Sequence, residues 1–121
     1  MNYTLRHALA LLLAGAWPGV ACASWTLDFD VGGYCIEMEV GDDAAPAVSR
    51  VRYFAPGDSS GIPLRPQDVR VDAFDVGARR LHLEHVGTDT AAPAFELRVD
   101  GDTGVLDIDG QRLPAPFDWQ M

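Results

Sequence analysis

Few side chains in this 121-residue chain could carry chemistry. Apart from His7, the imidazoles are His82 and His85. On a strand these two project to opposite faces, so they cannot jointly grip one metal ion. His82 and Glu84 do share a face, but two donors are too few for a zinc site. An apolar alignment of the strands around Val71 and Leu83 gives both residues ordinary partners in Asp72 and Arg70. His85 points toward the edge of the core and reads as a hydrogen-bonded structural histidine. No motif implies a cofactor.

The remaining candidates are weaker. Ser59 and Ser60 lie in a Gly/Pro-rich loop, where an exposed serine could act as a nucleophile with His82 or His85 as its base. No nucleophile elbow or other known spacing supports that arrangement. Asp100-Gly101-Asp102-Thr103-Gly104 has the look of a calcium loop. The helix-loop-helix pattern would further need Asp or Asn at Gly104, Gly at Val105 and Glu at Gln111, and all three are wrong. Asp107 and Asp109 share a face near this turn, which leaves room for a weak surface calcium site. All nine basic side chains are arginines. The absence of lysine excludes Schiff-base and Ser-Lys mechanisms.

Residues 1–23 have the order of a secretory signal peptide. A head carrying Arg6 precedes the apolar run Ala8–Ala16, Pro18-Gly19 breaks it, and Ala21-Cys22-Ala23 supplies small residues for cleavage. The run is too short to span a bilayer. Cleavage after Ala23 leaves residues 24–121 as one small domain with Cys35 as its only thiol. The alternative is lipidation at Cys22, although Gly19 stands where bacterial lipoprotein signals usually have Leu. A retained, unlipidated Cys22 could pair with Cys35 in an oxidising compartment. Cys35 itself falls among Asp28, Asp30 and Glu37, which disfavour a reactive thiolate. It reads as a packed thiol under some cover.

The elements that would position these residues are strands. Trp25, Leu27, Phe29 and Val31 alternate with polar residues, and so do Tyr34, Ile36, Met38 and Val40 after Gly32-Gly33. Two such runs joined by two glycines predict a hairpin with Val31 opposite Tyr34, Phe29 opposite Ile36 and Leu27 opposite Met38. Its outer face sets Asp28 against Glu37. A third strand near Val48–Phe54 brings Arg50 and Arg52 to relieve that repulsion, with Ser49, Val51 and Tyr53 inward. Ala55–Gln67 is a long loop by composition.

A second hairpin sets Ala73 opposite Leu81, Val71 opposite Leu83, Arg70 opposite Glu84 and Asp72 opposite His82. A third turns at Gly101–Gly104, with Val99 opposite Leu106, Leu97 opposite Ile108 and Arg98 opposite Asp107. Pro114 and Pro116 keep the tail out of any central strand, and Leu113, Phe117 and Trp119 would cap an open end of the core.

The expected fold is all-β: a small antiparallel sandwich or partly open barrel of about seven strands, following a cleaved N-terminal signal helix. The net charge of −9 becomes one unit more negative when Arg6 leaves with the leader. Such a surface disfavours nucleic acid and anionic lipid and suits a basic protein partner or divalent cations. The expected function is an exported, non-enzymatic binding protein of the periplasm or the medium, of the inhibitor or immunity type. The long loop would be its contact surface, through Phe54, Ile62, Leu64 and Arg65. The alternatives are a lipid-anchored envelope protein with a structural or assembly role, or a small hydrolase or metal-dependent enzyme. No segment carries a motif specific enough to name a family.

Overall fold

The computed structural model describes residues 24–42, 46–87 and 92–119. The leader, with Cys22 and the expected signal helix, lies outside them. The strands are β1 (Ser24–Val31), β2 (Tyr34–Asp42), β3 (Pro46–Phe54), β4 (Ile62–Pro63), β5 (Val69–Asp75), β6 (Arg80–His85), β7 (Phe95–Asp100), β8 (Thr103–Ile108) and β9 (Gln111–Pro116). A single 3-10 turn, Pro66–Asp68, precedes β5. Strands pair antiparallel with their sequence neighbours in two sheets, β1-β2-β3-β4 and β5-β6-β7-β8-β9. Among the described residues no helix is long and apolar enough to cross a membrane.

The first hairpin has the register that its apolar alternation predicts, from Val31 opposite Tyr34 to Thr26 opposite Glu39. Gly32 and Gly33 adopt φ of 57° and 88°. A two-residue turn needs this left-handed backbone at both positions to match strand twist, and glycine takes it without steric penalty. Arg52 and Arg50 lie opposite Glu37 and Glu39, so β3 answers the acidic outer face as expected.

Four expectations need correction. Ser49 does not point inward: the register shifts between Glu39 and Val40, and exposed Ser49 bonds the Glu39 carbonyl through Oγ at 3.1 Å. In the second hairpin Phe74, not Ala73, faces Leu81, because a shift between Val71 and Ala73 leaves Asp72 as the extra residue of a β-bulge. The third hairpin closes two residues tighter than expected. Asp100 pairs with Thr103 around Gly101-Asp102, so Val99 meets Gly104 and Leu97 meets Leu106. A slip of two residues preserves side-chain parity, which is why the inward residues were assigned correctly despite the wrong register. Finally, two strands escaped the alternation pattern, β4 and β9. Each is an edge strand containing proline, the position in a sheet where a missing N–H is tolerated.

The apolar faces of the two sheets meet in one core that includes Leu27, Phe29, Ile36 and Met38 from one side and Leu81, Leu83, Leu97 and Leu106 from the other. Phe29 and Gly104 approach closely across the two sheets. A Cβ built on Gly104 would sit 2.4 Å from Phe29 Cε1. The missing side chain is therefore what allows the ring to lie against β8. Phe29 also faces Phe117, whose ring is edge-on to Trp119 at 5.0 Å. Trp119 Nε1 donates to the Gly101 carbonyl at 2.8 Å, fastening the tail over the β7–β8 turn. At the other end of the core, Tyr53 stacks on Phe95 at 5.9 Å between the sheets.

Gly104→Ala is expected to cost about 1–3 kcal/mol through overpacking against Phe29, or roughly 4–8 °C of thermal midpoint per kcal/mol. Gly41→Ala meets nothing within 4 Å and should leave the midpoint near its starting value. Adding Phe29→Leu to Gly104→Ala should cost less than the sum of the single changes in a thermal-denaturation double-mutant cycle.

Candidate functional site

The densest polar constellation among the described side chains lies on the outer face of β5, β6 and β7. In β6, Leu81, Leu83 and His85 are buried while Arg80, His82 and Glu84 alternate outward. In β7, Phe95, Leu97 and Val99 are buried, with Glu96 and Arg98 between them facing out. Pairing sets His82 opposite Arg98 and Glu84 opposite Glu96. The bulge in β5 places Ala73 opposite His82 and leaves Asp72 beside it.

His82 thereby acquires a carboxylate on each ring nitrogen. Nε2 is 2.6 Å from Glu96 Oε2, and Nδ1 is 3.6 Å from Asp72 Oδ2. Arg70 spans two carboxylates, with Nε 3.2 Å from Asp72 Oδ1 and an NH2 group 2.9 Å from Glu84 Oε1. Arg98 reaches Glu96 Oε2 at 3.1 Å. Directly opposed Glu84 and Glu96 would repel one another, but each turns to its own cation. The hydrogen bond from His82, then that from Arg98, lowers the Glu96 pKa below its ordinary value despite partial desolvation. The donor atoms of Asp72, His82 and Glu84 all lie within 4.8 Å of one another. These three could hold a metal ion, one donor more than the two that share a face by strand parity.

Sequence reasoning paired Asp72 with His82, and the contact exists, but through a bulge rather than a regular ladder. Glu96 was missed. Its outward position was visible in the alternation of Glu96 and Arg98 around Leu97. What lay hidden was that β7 returns beside β6 across the intervening loop.

The expected contact loop divides into an interior and a surface. Phe54 and Leu64 are buried, at 7% and 8% exposure, so neither offers a contact surface; Ile62 is half-buried and Arg65 exposed. Arg65 is fixed by Asp68, with Nε 2.7 Å from Oδ2. Between these anchors the exposed residues are Pro56, Gly57, Ser59, Ser60 and Pro63. Asp58 N–H donates to the Ala55 carbonyl at 2.9 Å. Its carboxylate accepts from the Ser60 and Gly61 N–H groups at 2.9 and 3.2 Å. Arg52 holds the Ser60 carbonyl at 3.2 Å.

His85 is buried, with Nδ1 2.8 Å from the Pro93 carbonyl and its ring tilted against Phe95. It therefore serves the core, and His82 lies on the outer face of β6, so neither imidazole is brought to Ser59 or Ser60. Cys35 is buried although it sits on the outer face of its strand. Its partner on β3 is Phe54, and Gly61 of the loop packs against that ring, forming the cover over the thiol. Asp102 pairs with Arg79 at 3.1 Å, and Asp109 accepts from the Tyr34 hydroxyl at 3.3 Å. Those two carboxylates thus serve separate structural contacts.

Because the folded state lowers the Glu96 pKa, it favours the ionised form, and the unfolded chain binds more protons in the acid range. That stabilisation is present above the unfolded carboxylate pKa and is lost as pH falls through the folded value. Denaturant titrations should show parent stability falling more steeply than that of Glu96→Gln below about pH 4.5. Parallel acid limbs would contradict this coupling.

A scan against protein-family models finds no match to this chain, and searches of curated proteins and of solved structures likewise find none.

Proposed function

We propose that the chain is an exported, non-enzymatic binding protein that engages a basic protein partner, in the manner of an inhibitor or immunity protein. The observation that carries this reading is the loop between β3 and β4. Its tip is exposed, yet the Asp58 carboxylate, Arg52 and the buried flanks Phe54 and Leu64 hold its backbone in place. A loop held in one conformation before contact loses little entropy on binding, which is how small rigid scaffolds achieve affinity from few residues. An open two-sheet sandwich supplies the rigid support.

Charge supports the class of partner. Asp28, Asp30, Glu37 and Glu39 share the outer face of β1 and β2, and the chain carries 18 acidic against 9 basic side chains. A negative field of this kind speeds the approach of a basic protein and repels nucleic acid and anionic lipid. In this reading Ile62 and Arg65 border the contact, while Phe54 and Leu64 position it from inside.

The test is capture from periplasmic and culture fractions with tagged protein, followed by affinity measurement on what is retained. A basic exported protein held by the parent should bind Asp58→Ala about 5–30-fold more weakly, the equivalent of one or two lost preorganising hydrogen bonds. Unchanged affinity in an Asp58→Ala variant with the parent's thermal midpoint would remove the loop from the interface. Capture of only acidic proteins would overturn the charge argument.

A further inference from the structure

We propose that Asp72, His82 and Glu84 form a site for a divalent transition-metal ion of the zinc type, with Glu96 orienting the imidazole from its far side. The site lies on the outer face of β5 and β6, away from the loop between β3 and β4, and does not depend on the binding role proposed for that loop.

The donor set and its spacing come first. One imidazole and two carboxylates supply three protein ligands, all with donor atoms within 4.8 Å of one another. A tetrahedral ion with bonds of about 2.0–2.1 Å brings its ligand atoms to roughly 3.4 Å apart. The widest remaining gap is about 1.4 Å, within reach of rotation by carboxylate side chains on fixed strands. His82 Nδ1 and Asp72 Oδ2, at 3.6 Å, are already near that separation. The nitrogen donor selects against calcium and magnesium, which prefer all-oxygen shells, and suits zinc and its neighbours.

The state of the ring is the second argument. Glu96 sits 2.6 Å from Nε2 and accepts the proton carried there. In the neutral ring this leaves Nδ1 without a proton, 3.6 Å from an Asp72 carboxylate that has none to donate, so its lone pair is open to a metal ion. A carboxylate behind a ligating histidine is the usual outer-shell device for fixing tautomer and orientation and raising basicity. Glu96 is not one of the three ligands, and its carboxylate is further secured by Arg98 at 3.1 Å.

The backbone supplies the third element. A β-bulge turns two successive side chains toward one face, so Asp72 and Ala73 both lie over His82. Ala73 contributes only a methyl group, which leaves space above the ring. Arg70 is the competitor for this space, since its guanidinium touches both Asp72 and Glu84. Its side chain is 65% exposed and can swing into solvent when a dication takes over the two carboxylates. Three protein ligands leave the fourth position to water.

The test is titration of the full, untagged chain with zinc chloride near pH 7.5, read by calorimetry and repeated with cobalt(II) for its visible spectrum. His7, Cys22 and Cys35 are further donors in that chain, so surface variants locate the ion. His82→Asn and Glu84→Gln should each weaken zinc binding at least tenfold, and Glu96→Gln roughly 10–100-fold. Arg70→Gln should tighten it severalfold, because it removes the competing cation. Thermal midpoints establish that each variant is folded; Glu84→Gln and Arg70→Gln alter a half-buried and an exposed side chain outside the core and remain informative if His82→Asn is not. Binding that is absent up to about millimolar zinc, or unchanged in Glu84→Gln, would overturn the site. Unchanged or weaker binding in Arg70→Gln would overturn the assignment of Asp72 and Glu84 as ligands.

Discussion

The contact between Phe29 and Gly104 is the constraint on which the rest of the structure depends. Two antiparallel sheets bury their apolar faces only if side chains from one fill the space left by the other. Here the largest side chain near the centre of β1 enters where β8 has none, with 2.4 Å separating the ring from a hypothetical Cβ. Gly104 lies opposite Val99 in a hairpin closed by the two-residue turn Gly101-Asp102, so the fit and the register are met by the same residue. The same turn then offers the Gly101 carbonyl to Trp119 and the Asp102 carbonyl to the Phe117 N–H, fastening the tail.

Once the inner faces are committed to packing, strand parity leaves the outer faces to charge. Several outward acids face an arginine: Arg50 and Arg52 on β3 lie beside Glu39 and Glu37, Arg70 on β5 beside Glu84, and Arg98 beside Glu96 two residues along β7. Exposed pairs of this kind add little stability singly. Their effect is organisational, since they keep opposed carboxylates apart and orient the groups around His82. The loop between β3 and β4 follows the same economy. One carboxylate, Asp58, satisfies two backbone N–H groups and thereby shapes the segment that covers Cys35.

Much of this was legible in the residues. The first hairpin could be registered to the residue because Gly32-Gly33 permits only a tight turn, and the apolar sets on either side agree with one alignment. Arg70 opposite Glu84 followed from the same reasoning. The extra residues at Ser49 and Asp72 were not legible, because a bulge leaves the flanking alternation looking regular. Nor were β4 and β9: two residues and a proline-bearing edge carry little alternation to read. The burial of Phe54 and Leu64 was also hidden, since it depends on the loop folding back over the outer face of its own sheet, although a covered Cys35 was expected.

By itself the sequence determined the strand character of the chain and the face on which nearly every side chain lies. Both follow from a period of two that each strand carries locally. Which residues on a face become neighbours was decided by the tertiary structure. Register depends on bulges, turn lengths and the approach of the opposite sheet; the last two leave the period untouched, and a bulge interrupts it at a single residue. Asp72 and Glu96 thus read as outward-facing acids from the chain alone. That they meet on the two nitrogens of His82 is a consequence of the bulge in β5 and of β7 pairing beside β6.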